Sequence, residues 1–408
     1  MPSGASTPSL YPSSSSDAEQ LDAKEQSTGV MCAKEHDITT ACATRDLDAL
    51  VRLATSTHGL VKDELRRAAW PILLGCSDDK QQTISPWYTL PAHRDEEQVA
   101  KDVNRAFVSY PKGNKQLDRR KEELSNVIVE VLRRYPALSY FQGYHDIVQV
   151  LYLVLGPESA PSAAIRLSLL RIRDYMLPSL DPAIRHLELL PVILKIEDRV
   201  LYNHIPKIQP HYALGATLTL FSHVIDAYSD ITRLFDFFLA ADTIIPVYFF
   251  ASLLLARREQ LLDIDKEEED IFLCELGRLP EPFDLERRIE ETVRLYERVP
   301  PEKLGLVWWK VSSASVLKST RRPYDVAQFA LPDAQKLLRR QENEVRIFRM
   351  YHRAVLTAKR AKLYGWRHRR SGVLCISIAV GLCAFWLGGP QGDHRLGDVF
   401  KRIMGLLV

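Results

Sequence analysis

Pro246-Val-Tyr-Phe-Phe-Ala-Ser-Leu-Leu-Leu-Ala-Arg-Arg-Glu-Gln-Leu-Leu262 is an apolar-rich run of 17 residues, and its length decides the fold class. Strands rarely extend so far, whereas a run of this length built on Leu, Ala, Arg and Glu suits a helix. The same reading applies to Ser125–Arg134, Ile165–Met176, Pro191–Tyr202 and Leu214–Tyr228. Between these runs stand breakers: Pro71, Gly75, Pro111–Gly113, Pro136, Gly156–Pro157, Pro178, Pro182, Pro206 and Pro210. Period-two alternation flanked by Asn-Gly or Asp-Gly turns, the mark of hairpins, is absent. An all-α domain of roughly 200 residues therefore follows from Gly59 to Leu262. Upstream, Leu47, Leu50, Val51 and Leu53 recur at helical spacing after Thr44.

Downstream, Asp263–Asp270 is an acidic, solvated stretch, and helices are expected at Phe283–Arg298 and Leu304–Leu317. Pro332–Tyr364 reads as a long amphipathic helix, with its proline tolerated in the first turn. Ser371–Gly389 follows, 19 residues without a charge. At about 1.5 Å per residue it falls just short of a ~30 Å hydrocarbon core. Tyr351–Arg370 before it carries seven Arg or Lys and no Asp or Glu, the basic flank expected on the cytosolic side. A buried core helix is the other reading of Ser371–Gly389, but little chain remains after it to cover it. The expected organisation is a disordered Ser/Thr-rich segment (1–43), a helical domain (44–320), and a linker with a basic amphipathic helix (321–370). A transmembrane helix (371–389) and a short lumenal tail (390–408) complete it. The modest length of the span suits the thinner membranes of the early secretory pathway.

Composition narrows the function. A net charge of +2 in 408 residues leaves no basic footprint for nucleic acid. Six cysteines lie scattered without a C-x-x-C pair, and the histidines form no helical metal-ligand spacing, so neither a disulfide framework nor a metal site is expected. The first 28 residues hold no secretory signal. Phosphate-binding glycine loops, a G-x-S-x-G elbow and an H-E-x-x-H pair are all missing.

Two short segments remain. In Val99-Ala-Lys-Asp102-Val-Asn-Arg105 the acid and the base are three apart, so on a helix the carboxylate can steer the guanidinium. In Tyr140-Phe-Gln-Gly-Tyr144, Gly143 removes a side chain beside Gln142 and lets another group approach. Taken alone, the first also reads as a surface ion pair and the second as an aromatic helix start.

These two segments resemble the I-x-x-D-x-x-R and Y-x-Q-G motifs of the TBC family of Rab GTPase-activating proteins, in family order with Arg105 and Gln142 37 residues apart. Leu65–Gly75 looks like the family's R-x-x-x-W-P-x-L-L-G opening, and Leu220–His223 and Arg233–Asp236 resemble its L-F-x-H and R-L-W-D stretches. Phe235 stands where tryptophan is common and Val99 where isoleucine is. The likeness covers about half the chain. Gly143-Tyr144-His145-Asp146 with the C-terminal apolar stretch is most similar to the membrane-anchored subgroup of the endoplasmic reticulum.

The resemblance implies a TBC-type helical domain that stimulates GTP hydrolysis by a Rab-family GTPase in vesicle transport between endoplasmic reticulum and Golgi. Arg105 would be an arginine finger supplied in trans, a role worth about 10³–10⁵ in rate, or roughly 4–7 kcal/mol of barrier. Gln142 would place the attacking water and Asp102 would orient Arg105, with Tyr140 and Gly143 in support. Arg66 and Trp70 are expected to frame the domain rather than do chemistry. No cofactor is expected, since GTP and Mg²⁺ belong to the partner, which the subgroup suggests is of the Rab-one (Ypt-one) class. Two other readings stand beside this one: a catalytically silent membrane-anchored Rab-binding scaffold, which would be free to lose Arg105 or Gln142, and a helical membrane tether unrelated to GTPases.

Overall fold

Helices and short helical turns make up the regular structure that a computed structural model describes for residues 14–76, 85–107, 116–367 and 376–383; no strand occurs among these residues. Among the helices are α1 (Ser14–Thr44), α2 (Leu47–Thr55), α3 (Asp63–Leu73), α4 (Glu96–Val103), α5 (Leu117–Arg134), α6 (Tyr144–Leu170), α7 (Tyr228–Ala240), α8 (Ile245–Ala256), α9 (Leu285–Arg298) and α10 (Leu331–Arg367). The chain divides into two units, residues 1–345 and 346–408.

The run Pro246–Leu262 lies at the heart of the first unit. Every residue of α8 from Ile245 to Leu254 is buried, as a helix apolar on all sides must be. Phe249 meets Phe221 edge-on at 4.9 Å and Phe238 at 5.8 Å. Helix α8 also packs on α9, where the Ser252 and Thr292 hydroxyls pair at 2.9 Å. The run itself is split, because Arg257 ends α8 before a second short helix, Arg258–Leu262. A separate layer forms where α5 packs along α6.

One buried carboxylate ties α7 to α3 and to the turn before it. Asp236 on α7 accepts hydrogen bonds from Trp70 Nε1 at 2.8 Å, Arg66 Nε at 3.1 Å and the Leu60 N–H at 2.9 Å. Burial works against charge here, but the Asp236 carboxylate outweighs it and holds the Arg66 guanidinium above its ordinary range. Gly59 is required beside it, for a Cβ there would lie 2.6 Å from Asp236 Oδ2. Arg233, one turn back, grips Glu286 at 2.6 and 2.9 Å and the Ala54 and Ser56 carbonyls.

The structure departs from the sequence expectations in further places. Helix α1 extends through most of the segment 1–43 expected to be disordered. Ile38 and Ala41 are buried against α2 and α3, and Lys34 Nζ donates to Thr57 O at 2.6 Å. A few apolar residues suffice once neighbouring helices supply the opposite face. Pro71 does not break α3 but sits inside its last turn. Leu214–Tyr228 is helical only to Leu218, and Leu220 and Phe221 then adopt positive φ of 49° and 65°.

Another departure moves the domain boundary from 320 to 345. Val326, Ala334, Leu338, Gln341 and Val345 are buried within the first unit. Gln341 donates to Asp174 Oδ1 at 2.7 Å and accepts from Arg173 Nε at 2.5 Å, while Asp174 also lies 2.7 Å from His186 Nε2. The expected linker is thus partly core.

In the second unit, 346–367 continue α10 and 376–383 are helical, with Ile376, Ile378, Val380 and Leu382 exposed. Among the described residues no helix is long and apolar enough to cross a membrane. The stretch 371–389 is described only at 376–383; its remainder and the tail 390–408 lie outside the described residues.

Candidate functional site

The two motif segments meet because their flanks are hydrogen-bonded side by side. His93 Nε2 lies 3.1 Å from Leu138 O, Arg94 donates to Ser139 Oγ at 2.7 Å, and the Tyr140 N–H donates to Asp95 Oδ2 at 2.9 Å. Asp95 precedes α4, so this contact registers the start of one motif on the helix that carries the other.

Val99 and Asp102 are buried on α4 and anchor its inner face. Arg105 leaves the helix end with its N–H donating to Asp102 O at 3.0 Å. Its guanidinium pairs with Asp102 Oδ1, which also accepts from Gln98 Nε2 at 3.1 Å. Tyr140 donates its hydroxyl to the other oxygen, Oδ2, at 3.0 Å. Burial penalises the Asp102 carboxylate, but the hydrogen bonds from Gln98, Arg105 and Tyr140 outweigh it and hold its pKa below the ordinary value. Burial, reinforced by Asp102, drives the Tyr140 phenol strongly upward, so it stays a donor. Arg105 is thus held at its base while its side chain remains 64% exposed.

Gly143 takes φ +101°, and a Cβ there would lie 2.7 Å from Thr219 Cγ2. Only glycine fits this position without strain. Gln142, next to it, is exposed. Arg105 and Gln142 line a cleft of about 470 Å³ together with Gly143, His145, Asp146, Thr219 and His223. Phe107, also lining it, adopts φ +63°, and its N–H donates to the buried Gln149 Oε1 at 3.0 Å. Positive φ at Phe107, and at Leu220 and Phe221 behind the opposite wall, is backbone strain of the kind that collects at functional sites.

The structure brings all five expected site residues together: Arg105, Gln142 and Gly143 line the cleft, and Asp102 and Tyr140 back the arginine. Arg66 and Trp70 lie elsewhere, in the Asp236 cluster. The sequence reading assigned no role to His145, Asp146 or His223. They stood in plain view inside the quoted quartet 143–146 and the stretch 220–223, but nothing local showed that both line one cleft. Among the described residues no cluster of His, Cys, Asp or Glu could hold a metal ion.

Comparison with known proteins adds four observations. The sequence model of the Rab-GTPase-TBC domain matches residues 63–262. The GTPase-activating protein gyp10 of Schizosaccharomyces pombe is 30% identical over 296 residues, 71% of this chain and 79% of that protein. TBC1 domain family member 20 of Homo sapiens is 34% identical over 264 residues; the match takes in 64% of this chain and 65% of that relative's length. In fold, the crystal structure of the Ypt/Rab-GAP domain of Gyp1p superposes with a TM-score of 0.50 at 15% identity, covering 62% of this chain and 93% of that one.

Proposed function

Because the chain belongs to the Rab-GTPase-TBC domain family, we propose that it is a GTPase-activating protein for a Rab-family small GTPase. The observation that carries this reading is the placing of Arg105 and Gln142 on one cleft, with Asp102 and Tyr140 behind the arginine. An exposed arginine and glutamine on one cleft suit action on a nucleotide that another protein brings, with GTP and Mg²⁺ carried by that partner. Arg105 enters the partner's nucleotide site and stabilises charge spreading over the transferred phosphoryl group. Its planar fork, permanently charged, cannot be replaced by an ammonium. Gln142 holds the attacking water, and Asp102 aims Arg105.

Arg105→Ala should lower the stimulated single-turnover rate of GTP hydrolysis by about 10³–10⁵-fold while the unfolding midpoint stays unchanged. A near-normal rate would overturn the finger assignment. Gln142→Ala should be comparably damaging, and a GTPase lacking its own catalytic glutamine should still respond to the unaltered protein. Binding of GTP-loaded partners without any acceleration would leave a silent scaffold instead.

The location we propose is an endoplasmic reticulum or Golgi membrane, with residues 371–389 as a single-pass anchor and the helical domain in the cytosol. Support comes from the charge-free stretch and the basic flank Tyr351–Arg370 before it. Traffic between those two organelles is the corresponding process. The Rab-one class is the first partner to try in a panel of GTP-loaded Rabs.

A further inference from the structure

A series of polar side chains crosses the cleft and ends on Arg105. His223 Nδ1 lies 3.0 Å from Asp146 Oδ2, and Asp146 Oδ1 lies 3.3 Å from His145 Nε2. His145 Nδ1 lies 3.2 Å from the Tyr140 hydroxyl, which donates to Asp102 Oδ2 at 3.0 Å; Asp102 Oδ1 holds the Arg105 guanidinium.

Counting protons orients the series. An ionised carboxylate only accepts, so the single Tyr140 proton goes to Asp102 and the Tyr140 oxygen is left as an acceptor. The His145 nitrogen facing it must then carry the hydrogen. Burial, the largest influence on this ring, disfavours its charged form; Asp146 and Asp102 oppose that, His223 and Arg105 reinforce it, and the net effect lowers its pKa. A neutral ring has one N–H to give; Nε2 lies 3.3 Å from Asp146 Oδ1 without hydrogen-bond geometry, whereas Nδ1 is hydrogen-bonded to Tyr140, so the network assigns the hydrogen to Nδ1.

We propose that His145 is a positioning residue for the arginine finger: as the Nδ1–H tautomer it holds the Tyr140 hydroxyl on Asp102 and so fixes the direction in which Asp102 presents Arg105. The proposal rests on the GTPase-activating reading. Arg105 is mostly exposed and depends on Asp102 for its aim. Asp102 can turn about its own side-chain bond unless both oxygens are held. Gln98 and Arg105 share Oδ1, and Tyr140 is the side chain that holds Oδ2. The Tyr140 ring packs edge-on against Tyr144 at 6.1 Å, which sets the ring but leaves the hydroxyl hydrogen free to rotate. A donor at His145 Nδ1 removes that freedom.

Asparagine carries its amide nitrogen near the place of Nδ1 and glutamine near that of Nε2, so the two substitutions separate donation from packing. In the full-length protein, His145→Asn should keep the stimulated single-turnover rate near that of the unaltered protein. His145→Gln and His145→Leu should lower the maximal rate about 10- to 100-fold, with the half-saturating concentration unchanged. Equal rates for the Asn and Gln forms, or a loss confined to half-saturation, would overturn the proposal. Should a His145 variant fail to fold, Tyr140→Phe removes the same link and keeps the ring; a normal maximal rate there is equally fatal. The ¹⁵N shifts of the His145 ring report the tautomer with no GTPase present. Protonated Nε2 sinks this inference alone, whereas an unaltered protein that accelerates no Rab sinks the functional reading.

Discussion

Asp102 and Asp236 are both fully buried carboxylates that hold an arginine, and they serve opposite ends. The Arg66 side chain on Asp236 is 7% exposed, so that pair is sealed, whereas Arg105 on Asp102 keeps its head in solvent. Asp236→Ala leaves the buried Arg66 with Asp63 alone and the Trp70 N–H without its acceptor, and should lower stability by about 3–5 kcal/mol in urea unfolding. A change below about 1 kcal/mol would show that water reaches the cavity. The sequence made the Asp102–Arg105 pair legible because residues three apart on a helix share a face. It could not show the Tyr140 hydroxyl on the same carboxylate, a contact made across 38 residues by the docking of two segments. His145 was hidden for the same reason, since its neighbours in the chain say nothing of which nitrogen meets which oxygen.

Run length located the helices well where the chain is apolar throughout, as in α8, and poorly where a helix ends inside an apolar run. Leu214–Tyr228 carries no Gly or Pro after Gly215 to announce its turn, yet Leu220 and Phe221 pass through positive φ because Phe221 is drawn under α8. The N-terminal segment erred in the other direction. Its composition suggested disorder, and the partner faces that order α1 lie on α2 and α3. Ile38→Ala decides between the two readings. If α1 is docked, the loss of a fully buried side chain should cost about 2–5 kcal/mol in chemical denaturation; a disordered segment would register no change.

Across the whole molecule, the boundary between domain and tail sits later than composition suggests, since the charged helix α10 sets Ala334, Leu338, Gln341 and Val345 into the core. A chain stopped after residue 320 loses Val326, Ala334, Leu338 and the Gln341 link, and should unfold at clearly lower denaturant than one stopped after residue 350, which keeps all of them. Equal midpoints would place α10 outside the fold. This late closure has a bearing on biosynthesis. The ribosome must release residue 345 before the core can be completed, and the uncharged stretch beginning at Ser371 follows roughly 25 residues later, an interval of about one to five seconds at ordinary elongation rates. Completion of the helical domain and emergence of the uncharged stretch therefore follow one another within seconds in the life of the nascent chain. Any factor that shields that stretch must be at hand by the time the domain closes.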